Sequence, residues 1–247
     1  SHCFETPIPG VEPRTEEAAR LAMGYSFFHW GVSQWSVFTI VGLIIAYFQF
    51  RKGENGLIST SLTPMIGQGK RPKGIKNTID ILAVIATVMG VATSLGLGIL
   101  QINGGLSSVF GVGNNTLSQL LIVFILLILY LASSTTGLDK GIKWLSNVNL
   151  SLALFLMLFV FIVGPTVFIL NTFTLGIGDY ISNFIRYSLR LTPYQGGTWV
   201  QDWTIFYWAW AIAWSPFVGA FIARVSRGRT IREFILGVLV VPPLIAL

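Results

Sequence analysis

Aromatic side chains crowd one short stretch of the chain, residues 202–217, which reads DWTIFYWAWAIAWSPF. Four rings follow one another at helical spacing i, i+4, i+7 and i+11, and a fifth joins them at i+14: Trp203, Tyr207, Trp210, Trp214 and Phe217. Indole faces attract desolvated cations by about 0.5 to 2 kcal/mol per contact, and quaternary ammonium groups are frequent ligands. The stripe predicts a surface that recognises a cation poor in hydrogen bonds, with core packing of the rings as the alternative.

A second aromatic group lies in residues 25–38, YSFFHWGVSQWSVF. On a helical wheel of 100° per residue, Trp30, Trp35 and Phe38 share one face of the first span. We expect that face and the stripe of residues 202–217 to form the two walls of a cage. Neither segment between 21–50 nor 203–223 contains an acidic residue. Neutral rings suit a membrane, where a carboxylate is expensive to bury.

Small residues form a third pattern at i, i+4, i+7 and i+11, namely Ala83, Thr87, Gly90 and Ser94. Close helix packing explains such residues equally well. The hydroxyl oxygens of Thr87 and Ser94 would also suit a hard monovalent cation. The sequence contains no Ser-His-Asp set, no Cys/His metal spacing and no phosphate loop, so we expect neither a catalytic site nor a metal site. We expect His29 to contact a neighbouring helix and Asp80 to lie near a helix N-terminus.

Composition indicates which elements must position these residues. The chain of 247 residues is 53% hydrophobic and 11% charged, whereas soluble domains carry about 25% charged residues. Runs long enough to cross a bilayer are free of charge, which favours membrane-spanning helices. We predict five complete spans and the start of a sixth, near 21–50, 78–101, 117–137, 148–171, 202–226 and 233–247.

Basic residues fall mainly on alternate connections. Twelve of the sixteen lie in 51–77, 138–147 and 224–232, and this asymmetry marks the cytoplasmic side rather than a nucleic-acid partner. Residues 102–116 and 172–201 are then external, and the pattern of 172–192 predicts an interfacial amphipathic helix. Residues 1–20 also fall outside, without a signal peptide or initiating Met. We therefore expect an internal fragment, preceded by an odd number of spans.

The motif DWTIFYWAWAIAWSPF, followed by ARVSRGRTIREF, strongly resembles the signature of the betaine/choline/carnitine transporter family. SFFHWGVSQW is similar to that family's fourth transmembrane helix, and ATSLGLGILQINGGL to its fifth. The resemblance runs from residue 15 to 247 and implies an all-α polytopic membrane protein. It further implies that residues 1–247 form a single transmembrane domain, part of an inverted-repeat bundle of the sodium-coupled type, from helix four to the start of helix nine.

The resemblance also implies site residues. The substrate-binding positions are Trp30, Trp35, Phe38, Trp210, Ala211 and Trp214. The family usually has Trp at position 211 and often Tyr at position 38, so Ala211 removes one cage wall and is expected to leave room for a bulkier substrate. Thr87 and Phe217 match one sodium site, and Ser94 is added from the stripe of small residues. Val91 stands where a second Thr is often found.

From these residues we expect a secondary active transporter that imports a small quaternary-ammonium or related zwitterionic compatible solute, of the glycine betaine, choline or carnitine type. Alternating access and Na⁺ as coupling ion follow from the resemblance, with no other cofactor. A membrane receptor or sensor that binds such a ligand in the same cage is the alternative. The expected partners are the substrate, the lipid bilayer and, by resemblance, two further copies in a trimer. The expected location is the plasma membrane, with multiple passes.

The charge asymmetry yields a testable topology. In the full-length protein, single cysteines introduced in 51–77 and 224–232 should resist a membrane-impermeant thiol reagent added outside, and those in 102–116 should react. Lys73→Cys is the sharpest position, because it lies among several basic residues of the first basic connection. Labelling of position 73 from outside would overturn the topology.

Overall fold

The computed structural model describes residues 2–67, 70–135, 143–194 and 196–246, and these parts are helical, without strands. Five stretches are long and apolar enough to span a membrane: Glu16–Arg51, Pro72–Phe110, Thr116–Ser133, Trp144–Val163 and Gln201–Val225. The predicted all-α polytopic class and its five complete spans are confirmed. Residues 136 and 137 of the third predicted span lie outside the described residues, as do Leu247 and parts of the predicted connections, namely 68–69, 138–142 and 195.

The helices follow one another with short connections. Their bounds are α1 His2–Glu5, α2 Glu16–Trp30, α3 Val32–Ala46, α4 Ile58–Ser61, α5 Thr63–Ile66, α6 Lys70–Phe110, α7 Thr116–Thr135, α8 Lys143–Val163, α9 Thr166–Ser188, α10 Phe206–Val225 and α11 Ile231–Ala246. Single π-helical turns extend α3 at Tyr47–Arg51 and precede α10 at Gln201–Ile205. Thr230 and Glu233 form a reciprocal capping box that starts α11.

The second span is much longer than predicted. Helix α6 has 41 residues, about 60 Å at 1.5 Å per residue, and most of the predicted external connection 102–116 is therefore helical. The polar residues near its end do not break it, because the Asn103 amide donates to Asn114 Oδ1 (2.7 Å). Asp80 consequently lies in the third turn rather than the first. Its carboxylate accepts from the backbone N–H (3.0 Å) and hydroxyl (2.6 Å) of Ser59 at the start of α4.

The fourth span also ends earlier than predicted. Helix α8 stops at Val163, and α9 begins at Thr166 instead of 172. Pro165 explains the break, since proline lacks a backbone N–H and disfavours the helical conformation of the residue before it. The predicted amphipathic segment 172–192 is helical to Ser188, while its place at the external interface stays a prediction.

The chain divides into two compact units, residues 1–91 with 172–247, and residues 92–171. In the first unit α3 packs against α10 and α11. A separate apolar cluster joins α2 to α9 through Phe27, Tyr180 and Tyr187. The second unit holds the end of α6 with α7 and α8, whose large apolar side chains are mostly exposed, as expected of helices that face lipid or other spans.

Two polar ties within the first unit hold α9 to α2 and to the start of α3. The Arg20 guanidinium donates to both carboxylate oxygens of Asp179 at 2.7 Å, and these hydrogen bonds hold the pKa of Asp179 below its ordinary value. One residue later, the Tyr180 hydroxyl accepts from the backbone N–H of Ser33 (3.1 Å) and shares a hydrogen bond with its hydroxyl (2.6 Å). Both α2 and the start of α3 are therefore fixed to α9.

Helices α3 and α10 come into close backbone contact where two glycines, Gly42 and Gly219, meet. A Cβ atom on Gly219 would lie 2.8 Å from Val41 Cγ1 and 3.0 Å from the backbone nitrogen of Gly42. A Cβ atom on Gly42 would lie 3.2 Å from the Gly219 carbonyl oxygen. Small residues allow such backbone contact between membrane helices. The packing of α3 on α10 therefore depends on the absence of side chains at both positions.

This contact gives a stability prediction. Gly219→Ala in the full-length protein should lower the thermal midpoint, since overpacking costs about 1–3 kcal/mol. Gly237→Ala is the matched control on α11, where an added Cβ meets nothing within 4 Å and helix propensity favours alanine by about 1 kcal/mol. Thermal unfolding of the detergent-solubilised protein measures both. A midpoint for Gly219→Ala at or above that of Gly237→Ala would contradict the packing.

Candidate substrate and ion sites

The first predicted span is interrupted between its two tryptophans. Helix α2 ends at Trp30, Gly31 is extended (φ −85°, ψ −152°), and α3 begins at Val32. The Gly31 N–H donates to the Phe27 carbonyl oxygen (2.8 Å). Trp30 and Trp35 therefore lie on different helices, and the prediction that Trp30, Trp35 and Phe38 share the face of one helix is wrong. A single glycine within an apolar run permits the break, but its presence alone does not predict one.

Trp30 instead joins the first aromatic group, which we define as Trp30, Tyr207 and Trp210. The Trp30 ring centroid lies 5.5 Å from that of Trp210 and 5.6 Å from that of Tyr207, both edge to face. These are favourable distances and orientations for aromatic pairs. Trp30 keeps 36% of its surface exposed, so one ring of the group remains accessible.

The prediction for His29 is confirmed. Its ring is buried and stacks on Tyr207 at a centroid distance of 4.7 Å. Its Nε2 lies 3.2 Å from the Thr204 hydroxyl in the π-helical turn before α10. His29 thus joins α2 to the start of the fifth span. Tyr207 is the residue of this contact that the predicted substrate set omits, although the stripe of residues 202–217 contains it.

The second aromatic group consists of Trp35, Phe38 and Trp214. The Trp35 and Phe38 rings stand edge to face at 5.4 Å. Phe38 and Ala211 belong to a buried apolar cluster with Ile222, Phe234 and Val238, and Trp35 and Trp214 pack against that cluster. The structure therefore brings four of the six predicted substrate positions together here and the other two together in the first group. Their role in binding substrate stays a prediction.

Ala211 is 1% exposed. The expected spare volume beside it is filled by neighbouring side chains in this conformation. A larger substrate would therefore enter only as the cluster opens.

Two of the three predicted ion-binding residues, Thr87 and Phe217, lie near the second aromatic group. Thr87 is half-buried on α6, and its hydroxyl donates to the Ala83 carbonyl oxygen (2.9 Å), which leaves its oxygen lone pairs to accept or ligate. The Phe217 ring lies 5.8 Å from that of Trp214. Ser94 is half-buried farther along α6, in the second unit. The described residues contain no group of His, Cys, Asp or Glu that could hold a metal ion.

Gly90 connects α6 to the second aromatic group. A Cβ atom on Gly90 would lie 2.8 Å from Trp214 Cδ1 and 3.1 Å from its Nε1. The indole edge therefore rests directly on the α6 backbone, one turn from Thr87. The sequence places Gly90 in the stripe of small residues but does not identify Trp214 as its partner, because a glycine has no side chain whose chemistry would indicate the neighbouring residue.

A cavity of about 720 Å³ lies where α3 and α10 end, and it shares Leu43 and Phe234 with the apolar cluster that contains Phe38. Its apolar wall includes Leu43, Phe48 and Phe234, and three arginines line it: Arg51, Arg227 and Arg229. The Arg227 guanidinium lies 5.8 Å from the centroid of Phe50. None of the six predicted substrate positions lines this cavity, so its volume says nothing about the substrate site.

Comparisons with known proteins agree with this architecture. The family model described as "BCCT, betaine/carnitine/choline family transporter" matches residues 1–247. An ectoine/hydroxyectoine transporter of Virgibacillus pantothenticus is 70% identical over 100% of this chain and 48% of its own length. A glycine betaine transporter of Bacillus subtilis is 57% identical over 95% of this chain and 46% of its own length. A high-affinity choline transport protein of Escherichia coli is 43% identical over 93% and 34% respectively.

The chain spans about half the length of the first two of these relatives, as expected for part of a longer protein. A transporter family also agrees with the prediction that the chain is not an enzyme. The match over the whole chain and the helices long enough to cross a bilayer lead to one conclusion. The chain belongs to the betaine/carnitine/choline transporter family and is part of an integral protein of the plasma membrane.

Proposed function

We propose that this chain carries the substrate-binding part of a secondary active transporter for a small zwitterionic compatible solute. The observation that carries the proposal is the pair of aromatic groups built by α2, α3 and α10. Indole and phenyl faces bind desolvated cations. The relatives are named for ectoine and hydroxyectoine, glycine betaine and choline, which all carry a positively charged nitrogen centre on a small polar molecule.

The two aromatic groups differ in solvent accessibility, and this difference supports an order in which the substrate contacts them. Trp30 in the first group is partly exposed, whereas Phe38 in the second is buried. We propose that the substrate cation meets the first group and is then enclosed by the second as α3 and α10 separate. The break at Gly31 interrupts the span, as in the interrupted helices at the substrate sites of many transporters, so the part of α3 beyond Ser33 can move while α2 and Ser33 stay tied to α9. This sequence of openings is an alternating-access cycle.

Sodium coupling is part of the same proposal. Helices α6 and α10 meet where Gly90 contacts Trp214. The Thr87 hydroxyl lies one turn from Gly90 on α6, and the Phe217 ring lies beside Trp214 on α10. A cation held near Thr87 would change how tightly α6 packs on Trp214. Because Trp214 belongs to the second aromatic group, ion binding and substrate binding would then share one side chain.

Uptake by the full-length protein tests the proposed function. Reconstituted vesicles are given labelled glycine betaine, carnitine, choline, proline and ectoine, with and without an inward Na⁺ gradient. We expect concentrative uptake of at least one zwitterion, and we expect it to require Na⁺. Saturable binding without uptake would favour the receptor or sensor alternative, and neither binding nor uptake of any compound would refute both.

Removing one ring from each aromatic group should weaken transport of every accepted solute. We expect Trp30→Ala and Trp35→Ala to raise the apparent KM about two- to thirtyfold, because each cation–π contact contributes about 0.5 to 2 kcal/mol. Trp144→Ala is the matched control, since Trp144 is 67% exposed on α8 and should not alter the KM. If both Trp30→Ala and Trp35→Ala keep the wild-type KM, the rings serve only packing.

The contact between Gly90 and Trp214 makes a further prediction. Gly90→Ala must displace the indole, because the new Cβ atom would lie 2.8 Å from Trp214 Cδ1. We expect solute affinity and the Na⁺ dependence of uptake to fall together, with affinity reduced about tenfold for a loss near 1.4 kcal/mol. Gly96→Ala on the same helix adds a Cβ atom with nothing within 4 Å and should leave both unchanged. Unaltered kinetics in Gly90→Ala would remove Trp214 from the coupling.

A further inference from the structure

Helices α3 and α10 run parallel. Gly42 of α3 contacts Gly219 of α10, and Trp30, at the end of α2, contacts Tyr207 and Trp210. The offset in position between Gly42 and Gly219, which is also that between Trp30 and Tyr207, places Gln34 level with Ala211. The first turn of α3 therefore faces a point on α10 where the side chain is small, since alanine occupies position 211.

Gln34 lies on the side of α3 that faces α10. At 100° per residue, Gln34, Phe38, Gly42 and Ile45 fall within a sector of about 80°. All four are buried, Phe38 shares a cluster with Ala211, and Gly42 touches Gly219. An amide side chain at position 34 thus reaches the volume that a large residue at position 211 would otherwise occupy.

The Gln34 amide is buried but incompletely bonded. Only 6% of the residue is exposed, and its Oε1 has no hydrogen-bond partner among the residues that the structure describes. Buried polar atoms are nearly always paired, and an unpaired one in a native protein calls for an explanation. A carbonyl oxygen accepts hydrogen bonds and cannot donate them. The missing partner is therefore a hydrogen-bond donor.

We propose that Gln34, opposite Ala211, selects a substrate whose cation carries N–H groups over one whose nitrogen is fully alkylated. The inference rests on the proposed transport function and narrows its substrate class. The aromatic groups attract either kind of cation through their ring faces. The amide oxygen adds a hydrogen bond that an ammonium or amidinium N–H can donate and that a trimethylammonium group cannot.

The proposal also gives Ala211 a physical role. A large aromatic residue at position 211 would complete a wall of rings, which suits a cation without hydrogen-bond donors. Alanine leaves space for the Gln34 amide. The site then has one aromatic ring fewer and gains the Gln34 carbonyl oxygen as a hydrogen-bond acceptor. Ectoine fits this arrangement, because its cyclic amidinium is flat, delocalised and bears two N–H groups, whereas glycine betaine has none.

Pairs of solutes that differ only in N-methylation test this directly. Dimethylglycine is compared with glycine betaine, and proline with proline betaine, as competitors of labelled ectoine in vesicles that contain the full-length wild-type protein. We expect the N–H member of each pair to compete about tenfold or more better, the usual effect of a hydrogen bond to a charged group. Equal or better competition by the methylated members would overturn the inference, whatever the variants do.

Variants assign the preference to its residue. Gln34→Met keeps length without an acceptor, and we expect it to abolish the preference for the N–H members. Gln34→Glu keeps an acceptor and should retain the preference. Ala211→Trp should shift selection toward the methylated members, because the indole takes the place of the amide. Gln49→Met, at an exposed position beyond α3, is the matched control and should behave as wild type.

The outcomes distinguish failure of the role of Gln34 from failure of the proposed transport function. Uptake that persists in Gln34→Met with an unchanged preference overturns the role of Gln34 and leaves the transporter intact. Its acceptor is then satisfied by another part of the longer protein. Failure of the wild-type protein to bind or transport any compatible solute overturns the proposed function and this inference together.

Discussion

The approach of α3 to α10 at Gly42 and Gly219 is the constraint on which the candidate site depends. Packed helices usually stand 8–10 Å apart, as their contact side chains dictate, and here neither Gly42 nor Gly219 contributes one. The contact fixes the register of the two helices. The same packing accompanies the contacts of Trp30 with Tyr207 and Trp210, and it brings Phe38 and Ala211 into one apolar cluster. Aromatic pairs interact over centroid distances of only 4.5 to 7 Å, so a wider spacing would separate the rings.

Local patterns predicted a large part of this structure. Charge-free runs gave the spans, and helical spacing gave the aromatic stripe, because both properties depend on neighbouring residues alone. The break at Gly31 was not predictable in the same way, since one glycine in an apolar run is equally compatible with a continuous helix. The length of α6 was underestimated because Asn103 looks like a loop residue until its partner Asn114 is known. Pro165 did carry a readable signal for the end of α8.

The site itself shows where residue type stops being informative. The chemistry of the tryptophans indicated cation recognition, but the pairing of Trp30 with α10 and of Trp35 with Phe38 required the fold. Gln34 lies within SFFHWGVSQW, and its residue type alone does not mark it as functional, although a buried amide in a charge-free span is unusual. What distinguishes it is an unmet hydrogen bond, and that is a property of its surroundings.

The helices that build the two aromatic groups are neutral over residues 21–50 and 203–223. A fixed carboxylate there would attract a cation strongly, but it would be left uncompensated whenever the site emptied. A zwitterion carries its own counter-charge, so a site of rings and one amide can fill and empty without a change in net buried charge. Neutrality of the site therefore matches a substrate that is charged locally and neutral as a whole.

The two ties that hold α9 respond differently to dissolved salt. The Arg20–Asp179 pair joins full charges, and its guanidinium is largely open to water, whereas the Tyr180–Ser33 tie is a buried bond between uncharged groups. The Debye length shrinks from about 10 Å at 0.1 M salt to about 3 Å at 1 M. Rising ionic strength on the predicted external side would thus weaken the Arg20–Asp179 ion pair between α2 and α9. It would leave the Tyr180–Ser33 hydrogen bond between α9 and the start of α3 unchanged. The segment beside the helix break would then pivot about one fixed end.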